Sequence, residues 1–156
     1  MLHWLSQFEN ELYVFLISMI PIIELRGAVP VAAGLGLKWY NAFWISVVGN
    51  SIIVPFVVLL GREIIMIGKK LKFTSKLFHA IEKRTLAKQD LINKYSIPGL
   101  IIFVGIPLPG TGAWTGALLA SLLNLRVKDA MWSCFAGTAL AGVVVTLVTY
   151  GVASIF

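Results

Sequence analysis

Two long apolar runs without charge stand out in the pattern of hydrophobic and polar positions. The first covers residues 39–60 and the second covers residues 130–156. Each exceeds the roughly 20 apolar residues that an α-helix needs to cross a bilayer. We therefore predict one membrane-spanning helix in each half of the chain, the first kinked at Pro55 and ended at Gly61 and Arg62.

A shorter apolar stretch, too interrupted to cross a membrane, precedes the first span. Residues 12–23 are apolar except for Ser18, and apolar character resumes over residues 28–37. The residues that interrupt the pattern are Pro21, Glu24, Arg26, Gly27 and Pro30. Because proline breaks a helix and charge at membrane depth is costly, we predict a re-entrant hairpin with Glu24 and Arg26 at its tip.

The second half shows the same arrangement. Residues 97–125 carry no charge, but their centre is broken by Gly105, Pro107, Pro109, Gly110 and Gly112. The apolar arm on each side of the break is only about half as long as a spanning helix. A helix broken at membrane depth is tolerated only where protein or a wet cavity surrounds it, so we predict a second re-entrant hairpin.

The two halves also resemble each other in sequence. Residues 42–50 and 130–138 share Ala, Trp and Gly at the same spacing and end in Asn50 and Thr138. An interrupted hairpin followed by a span in both halves is typical of transporter repeats. We predict an all-α polytopic membrane fold of two repeats joined by a basic connector. The predicted units are residues 1–61, 62–95 and 96–156.

Composition and charge indicate the class of protein and the orientation of the predicted repeats. Hydrophobic residues make up 58% of the chain and charged residues 13%, with a mean hydropathy of +0.89, whereas about 25% of the residues of soluble domains are charged. A soluble globule is therefore excluded. The connector carries the whole net charge of +6, and the positive-inside rule places such a loop in the cytoplasm. Each repeat then crosses the cytoplasmic (inner) membrane once, so the second repeat is inverted relative to the first.

The sequence offers little for covalent or metal chemistry. Cys134 is the only cysteine, and His3 and His79 lie far apart with no cysteine near them, so a disulfide framework and a zinc site are both disfavoured. No nucleophile with a base partner and no cofactor motif is found, and the 107–112 segment lacks the lysine of a phosphate-binding loop. We expect no enzymatic activity, no catalytic residue, no metal and no cofactor.

Glu24 and Arg26 are the only charged residues between positions 12 and 37. Ionisable groups at membrane depth usually face an aqueous cavity and mark a substrate or proton pathway. Two interpretations stay open: Arg26 binds an anion while Glu24 exchanges a proton, or the two side chains only neutralise each other. In the first interpretation, Glu24 becomes available for a proton when a substrate draws Arg26 away.

The backbone of both predicted tips is suited to an anion. Half-helices that begin near Ala28 and Ala113 would direct free N–H groups to the membrane centre, and helix N-termini favour negative charge. Polar residues within the spans, among them Asn50 and Thr138, are expected to join helices rather than bind a ligand. The candidate substrate-binding residues are Glu24, Arg26, Gly27, Pro30, Pro107, Pro109, Gly110, Thr111 and Gly112.

The sequences ELRGAVP at 24–30 and PLPGTGAWTG at 107–116 resemble the small multidrug export protein family. The resemblance covers nearly the whole chain. It implies a distant relation to the DedA, or SNARE-associated, membrane proteins, which share opposed re-entrant hairpins and include proteins implicated in moving undecaprenyl phosphate and phospholipids. The DedA pattern places arginines around the Pro-Gly of the second hairpin. In this chain Gly105 and Gly112 stand in that neighbourhood, and Arg26 is the only intramembrane arginine.

Taken together, these inferences predict a transporter that moves an amphipathic or lipid-linked anionic substrate, such as a phosphate-bearing lipid, with Glu24 as the proton-coupling group. Two alternatives stay open: multidrug export of lipophilic cations with Glu24 as counter-ion, and a membrane scaffold that transports nothing. The expected partners are membrane lipid, a small-molecule or lipid substrate, and a second copy in a homodimer. The dimer is expected because two hairpins and two spans alone would leave hairpin backbone facing lipid. No nucleic-acid partner is expected.

Overall fold

The structure, a computed structural model, describes residues 2–70, 89–108 and 110–153. These residues are helical apart from short turns and loops, and they contain no strand. The helices are α1 (Leu2–Ser18), α2 (Glu24–Gly34), α3 (Trp39–Ile52), α4 (Val54–Lys70), α5 (Gln89–Gly105), α6 (Ala113–Leu122) and α7 (Val127–Ala153). The prediction of an all-α fold is confirmed for the described residues. Most of the predicted connector, together with Pro109, lies outside them.

Among the described residues, two helical stretches are long and apolar enough to cross a membrane, Trp39–Gly61 and Val127–Val152. Well under half of each stretch is buried inside the protein. Large apolar side chains such as Trp44, Leu59 and Leu147 are exposed along them. The core helix of a soluble protein would bury these side chains, so the exposed faces indicate contact with lipid. The prediction of two long apolar helices, each a candidate membrane span, is confirmed for the described residues.

The first span is divided at Ile53, between α3 and α4. Pro55 has no N–H to donate to the carbonyl one turn earlier, so the helix breaks there and restarts with a hydrogen bond from Val57 N to Ile53 O at 3.1 Å. The predicted kink at Pro55 therefore takes the form of a break. The candidate span ends at Gly61 as predicted, whereas the helix itself continues beyond the span to Lys70.

The helices α1 and α2 form one hairpin and α5 and α6 form another. In each case the second helix is short and buries a stripe of small side chains, with Ala28 and Ala32 in α2 and Ala117 and Ala120 in α6 fully buried. Small residues let helix backbones approach closely in membrane proteins. The helix α6 begins at Ala113 as predicted, whereas α2 begins at Glu24, a turn before the predicted start, because a carboxylate in the first turn is favoured by the helix dipole.

The two short helices end in the same way. After α2, Gly36 has a φ of 75°, and after α6, Asn124 has a φ of 53°, both in the left-handed region. In each case the N–H of the next residue donates to a carbonyl of the last turn at 3.0 Å, which is a common way to close a helix. The same number of residues then separates Gly36 from Trp39 and Asn124 from Val127, where the next helices begin.

The two spans run in opposite directions. The hydroxyl of Tyr150 near the end of α7 donates to the carbonyl of Leu37, just before α3, at 2.7 Å. At the other end, Gly61 in α4 lies against Ser121 in α6, close to the start of α7. Each short helix also packs against the span of the other half, α2 on α7 and α6 on α4. The turns of both hairpins therefore lie close together, although most of their described residues are exposed. The predicted placement of these hairpins as re-entrant elements in a bilayer stays a prediction.

Candidate functional site

The turn at residues 19–23 and the loop at residues 106–112 meet through Trp114. The indole Nε1 of Trp114 donates to the carbonyl of Met19 at 3.0 Å, and the backbone N of Trp114 donates to Oε1 of Glu24 at 3.3 Å. The N-cap residue of α6 is Gly112, which has no side chain to cap the helix. The carboxylate of Glu24 therefore caps the first turn of α6 from the opposite hairpin, where the helix dipole favours negative charge.

Gly112 makes this approach possible. Its backbone is extended, with φ of −80° and ψ of −171°, so its conformation does not require glycine. The requirement is for space, because a Cβ at this position would overlap the carboxylate of Glu24. A residue with any side chain would displace Glu24 from the N-terminus of α6.

Arg26 also reaches across to the second hairpin. Its Nη2 donates to the carbonyl of Ile106 at 3.1 Å and to Oγ1 of Thr111 at 3.0 Å. The distance from its Nη1 to Oε2 of Glu24 is 4.0 Å, at the outer limit of an ion pair. The closest polar contacts of both charged side chains are thus made with the opposite hairpin, and their mutual contact is the longer one.

The backbone of Glu24 is strained. Its φ of 48° lies in the left-handed region, which a residue with a long side chain rarely adopts. Such a conformation costs about 1–3 kcal/mol and persists where the surrounding structure enforces it, often at functional sites. Glu24 is also only 6% exposed, while the side chain of Arg26 is 21% exposed. Strain and burial of a charged residue at one position favour a functional role for Glu24.

A cavity of about 480 Å³ lies between the two hairpin tips. This volume is within the range of small-molecule sites. Ile22, one of the apolar residues that line the cavity, is 93% exposed, so the cavity opens beside an apolar side chain. Nine residues line the cavity: Pro21, Ile22, Ile23, Glu24, Arg26, Pro107, Gly110, Gly112 and Thr115. The cavity thus combines a charged inner wall with an apolar entrance.

The candidate residues from the sequence fall into three groups. Those that line the cavity are Glu24, Arg26, Pro107, Gly110 and Gly112. Thr111 does not line the cavity but accepts a hydrogen bond from Arg26. Gly27 and Pro30 do not line it: a Cβ at Gly27 would meet Ile23, and Pro30 is exposed within α2. The position of Pro109 is not among the described residues.

Sequence reasoning did not single out Trp114 and Thr115. The hydroxyl of Thr115 bonds to the carbonyl of Gly112 at 3.0 Å, and its side chain faces the cavity. An indole N–H at membrane depth needs an acceptor. The position of Trp114 directly after the Gly-rich segment could therefore have indicated that its side chain makes a hydrogen bond at this site. Its acceptor, Met19, belongs to the other hairpin and could not be read from the local sequence.

One family model, described as "Putative small multi-drug export protein", matches residues 24–144. The matched range begins at Glu24 and includes the whole cavity wall contributed by the second hairpin. No curated protein and no solved structure matches the chain.

Proposed function

Because the chain belongs to the small multi-drug export protein family, we propose that it is a transporter that moves an amphipathic anionic molecule, such as a phosphate-bearing lipid, across the cytoplasmic membrane. The observation that carries this proposal is the guanidinium of Arg26 in the wall of the cavity between the hairpin tips. We propose no enzymatic step, and no cofactor or metal enters the mechanism.

The proposed architecture is a pair of inverted repeats, each a re-entrant hairpin followed by a span in a multi-pass inner-membrane protein. Three features support it: the two short helices end alike, the spans run in opposite directions, and each short helix packs on the other span. In transporters of this kind the substrate site lies near the bilayer midplane between the repeats. The distant DedA relation, with its opposed hairpins, is part of the same proposal.

The site fits an anionic head group with an apolar tail. Arg26 presents N–H donors to the cavity, and a guanidinium binds phosphate or carboxylate in two-point fashion. The N-terminal end of α6, at Gly112, adds a favourable dipole on the same wall. The exposed side chain of Ile22 lies at the edge of the cavity, where an acyl chain would lie.

The contacts between the tips suggest how binding is coupled to movement. An anion competes with Thr111 and Ile106 for Arg26 and so releases one polar link between the hairpins. Glu24 then loses its compensating charge, and a proton on its carboxylate weakens its hold on the N-terminus of α6. With both links loosened, the tips separate and the cavity opens toward the other face, as alternating access requires.

The test is transport by purified protein in liposomes under an imposed pH gradient. With a fluorescent short-chain phosphatidate as probe, Arg26→Gln should reduce the transport rate roughly tenfold or more, and Arg26→Lys should retain part of it. The matched control is Arg126→Gln, because Arg126 is an exposed arginine paired with Asp129 away from the cavity. Normal transport by Arg26→Gln would refute the anion site.

A second candidate function is export of lipophilic cations, which the family description and the carboxylate of Glu24 in the cavity wall favour. Tetraphenylphosphonium serves as the probe in the same liposomes. Transport that is lost in Glu24→Gln and survives in Arg26→Gln would establish this candidate in place of the first. If the protein moves neither probe, the scaffold interpretation replaces both.

The proposal includes a homodimer, as expected from the sequence. A second copy would cover hairpin backbone that otherwise faces lipid, where unpaired N–H and C=O groups are costly. Crosslinking of the protein in membranes that are diluted stepwise with added lipid tests the proposed dimer. A species that remains monomeric at all protein-to-lipid ratios would remove the dimer from the proposal and leave the site within one chain.

A further inference from the structure

A second, much smaller cavity lies behind the site, between the two spans. Its volume is about 10 Å³, close to what one water molecule needs. Glu24, Arg26 and Gly112 line both this inner cavity and the large one, so they form the partition between them. The rest of the inner wall consists of Asn50 from α3, Thr138 from α7 and four apolar residues, Leu25, Val104, Ala113 and Ala141.

Two polar atoms in this inner wall are buried and unpartnered. Asn50 is 2% exposed and Thr138 is 1% exposed. Neither Oδ1 of Asn50 nor Oγ1 of Thr138 has a hydrogen-bond partner among the residues that the structure describes. Buried polar groups are nearly always satisfied in native proteins, because an unmade hydrogen bond is costly away from water. Both atoms line one cavity, so a single occupant can satisfy both.

The chemistry of the wall selects the occupant. Oδ1 of Asn50 only accepts hydrogen bonds and so needs a donor, which an anion without a proton does not offer. The guanidinium of Arg26 and the N-terminal end of α6 at Gly112 bring positive charge to the same wall, which opposes a metal cation. A neutral molecule with two donors and the size of the cavity satisfies all of these conditions, and water is that molecule.

We propose that the inner cavity is a binding site for one water molecule, which donates to Asn50 and Glu24 and accepts from the hydroxyl of Thr138. The water joins the first hairpin to both spans. It makes Asn50 and Thr138 positioning residues for Glu24, since they hold the carboxylate only through the water. This site rests on the inner cavity and does not depend on what the protein transports.

The first test is a double-mutant cycle on thermal unfolding in detergent. Thr138→Val keeps the shape of the side chain and should lower Tm by about 3 °C or more, because the water loses a partner. Asn50→Leu should lower Tm in the same way. The Tm of the double variant, with both substitutions, should fall no further than that of the less stable single variant, since either substitution alone already removes the water. Effects that simply add, or a Tm of Thr138→Val that stays constant or rises, would overturn the proposal.

Two further variants serve as controls. Thr146→Val removes a buried, unpartnered hydroxyl from the same helix that lines neither cavity, so its Tm should not fall. Thr138→Ser keeps a hydroxyl and should retain the water. A fall in Tm for Thr146→Val equal to that for Thr138→Val would mean that buried threonine, and not the cavity, accounts for the loss.

The second test detects the water directly. Infrared spectra recorded in H₂¹⁶O and H₂¹⁸O should differ by an O–H stretching band of a buried water in the native protein, in Thr146→Val and in Thr138→Ser. Thr138→Val should lack this band. An unchanged band in Thr138→Val would refute the site. Neither test measures transport, so failure here leaves the proposed transport function standing, and loss of transport in Arg26→Gln leaves this site standing.

Discussion

At the scale of single residues, the contact between the two hairpins depends on the carboxylate of Glu24, which lies where they meet. Glu24 starts its own helix in a strained conformation and caps another helix through Trp114 N. The arrangement leaves no room for a side chain at Gly112. Glycine is required at position 112 because a side chain has no space there, and not because of its φ. A substitution at this position therefore tests the role of Glu24 directly.

Gly112→Ala should displace Glu24 and reduce transport by roughly tenfold or more, with a loss of stability of about 1 kcal/mol, because the N-terminus of α6 loses its cap. The control is Gly34→Ala, because nothing lies within 4 Å of a Cβ at Gly34 and alanine is the better helix former. Thermal unfolding and liposome transport measure both variants. In a Glu24→Ala background the added methyl group of Gly112→Ala should cost little further stability. Full transport by Gly112→Ala would show that the carboxylate does not need its observed position.

The sequence predicted part of this site and missed part of it, for physical reasons. Glu24 and Arg26 were found because lone charges in an apolar stretch are costly unless they serve a purpose. That Glu24 bonds to Trp114 and Arg26 to Ile106 could not be predicted, since these residues come together only when the two tips meet. Asn50 and Thr138 occupy the same place in the repeated segment, but polar residues in spans most often join helices, and only the inner cavity distinguishes them.

At the scale of elements, the sequence predicted which segments are helical better than where they end. Charge at Arg62 ends the apolar run but not the helix, because arginine and glutamate are good helix formers. Hydropathy therefore marks the edge of the membrane, while α4 continues to Lys70. The break at Ile53 was predictable because proline removes a backbone donor at a known place.

The ends of α2 and α6 offer a test at this scale. Asn124 adopts a φ of 53° at the end of α6, where Gly36 stands with a φ of 75° after α2. Asn124→Gly should therefore be neutral or raise the free energy of unfolding slightly, and Gly36→Ala should lower it by roughly 1 kcal/mol because alanine is strained there. Thermal unfolding of both variants checks this. If Gly36→Ala unfolds at the native temperature, the shared helix ending is not formed.

Packing between helices is a second property at this scale. A Cβ at Gly142 in α7 would lie 2.9 Å from Phe43 and 3.2 Å from Leu25, so Gly142→Ala should force these side chains apart and destabilise the protein by about 1–3 kcal/mol. Gly99→Ala in α5 is the matched control, because a Cβ there meets nothing within 4 Å. Equal unfolding temperatures for the two variants would contradict the close packing of α7 against α3.

At the scale of the whole molecule, the two halves are matched in helix order, helix endings and packing, and their spans are antiparallel. A matched order could be inferred from the sequence, because each half shows an interrupted stretch before a span. The mutual contact of the two tips could not, since it depends on how α2 and α6 pack on the opposite spans.

Topology in the membrane provides the prediction that belongs to this scale. In a Cys134→Ser background, a single cysteine at Lys38 should react with a membrane-impermeant maleimide from outside the cell, and a cysteine at Lys128 only after the inner face is made accessible. The reason is that Lys38 directly precedes α3 and Lys128 lies in the first turn of α7, and these spans run in opposite directions from opposite ends of the molecule. The basic connector then lies in the cytoplasm, on the side of Lys128. Labelling of both positions from the same face would refute the inverted repeat, and with it the idea that the two hairpins enter the membrane from opposite sides to share one site.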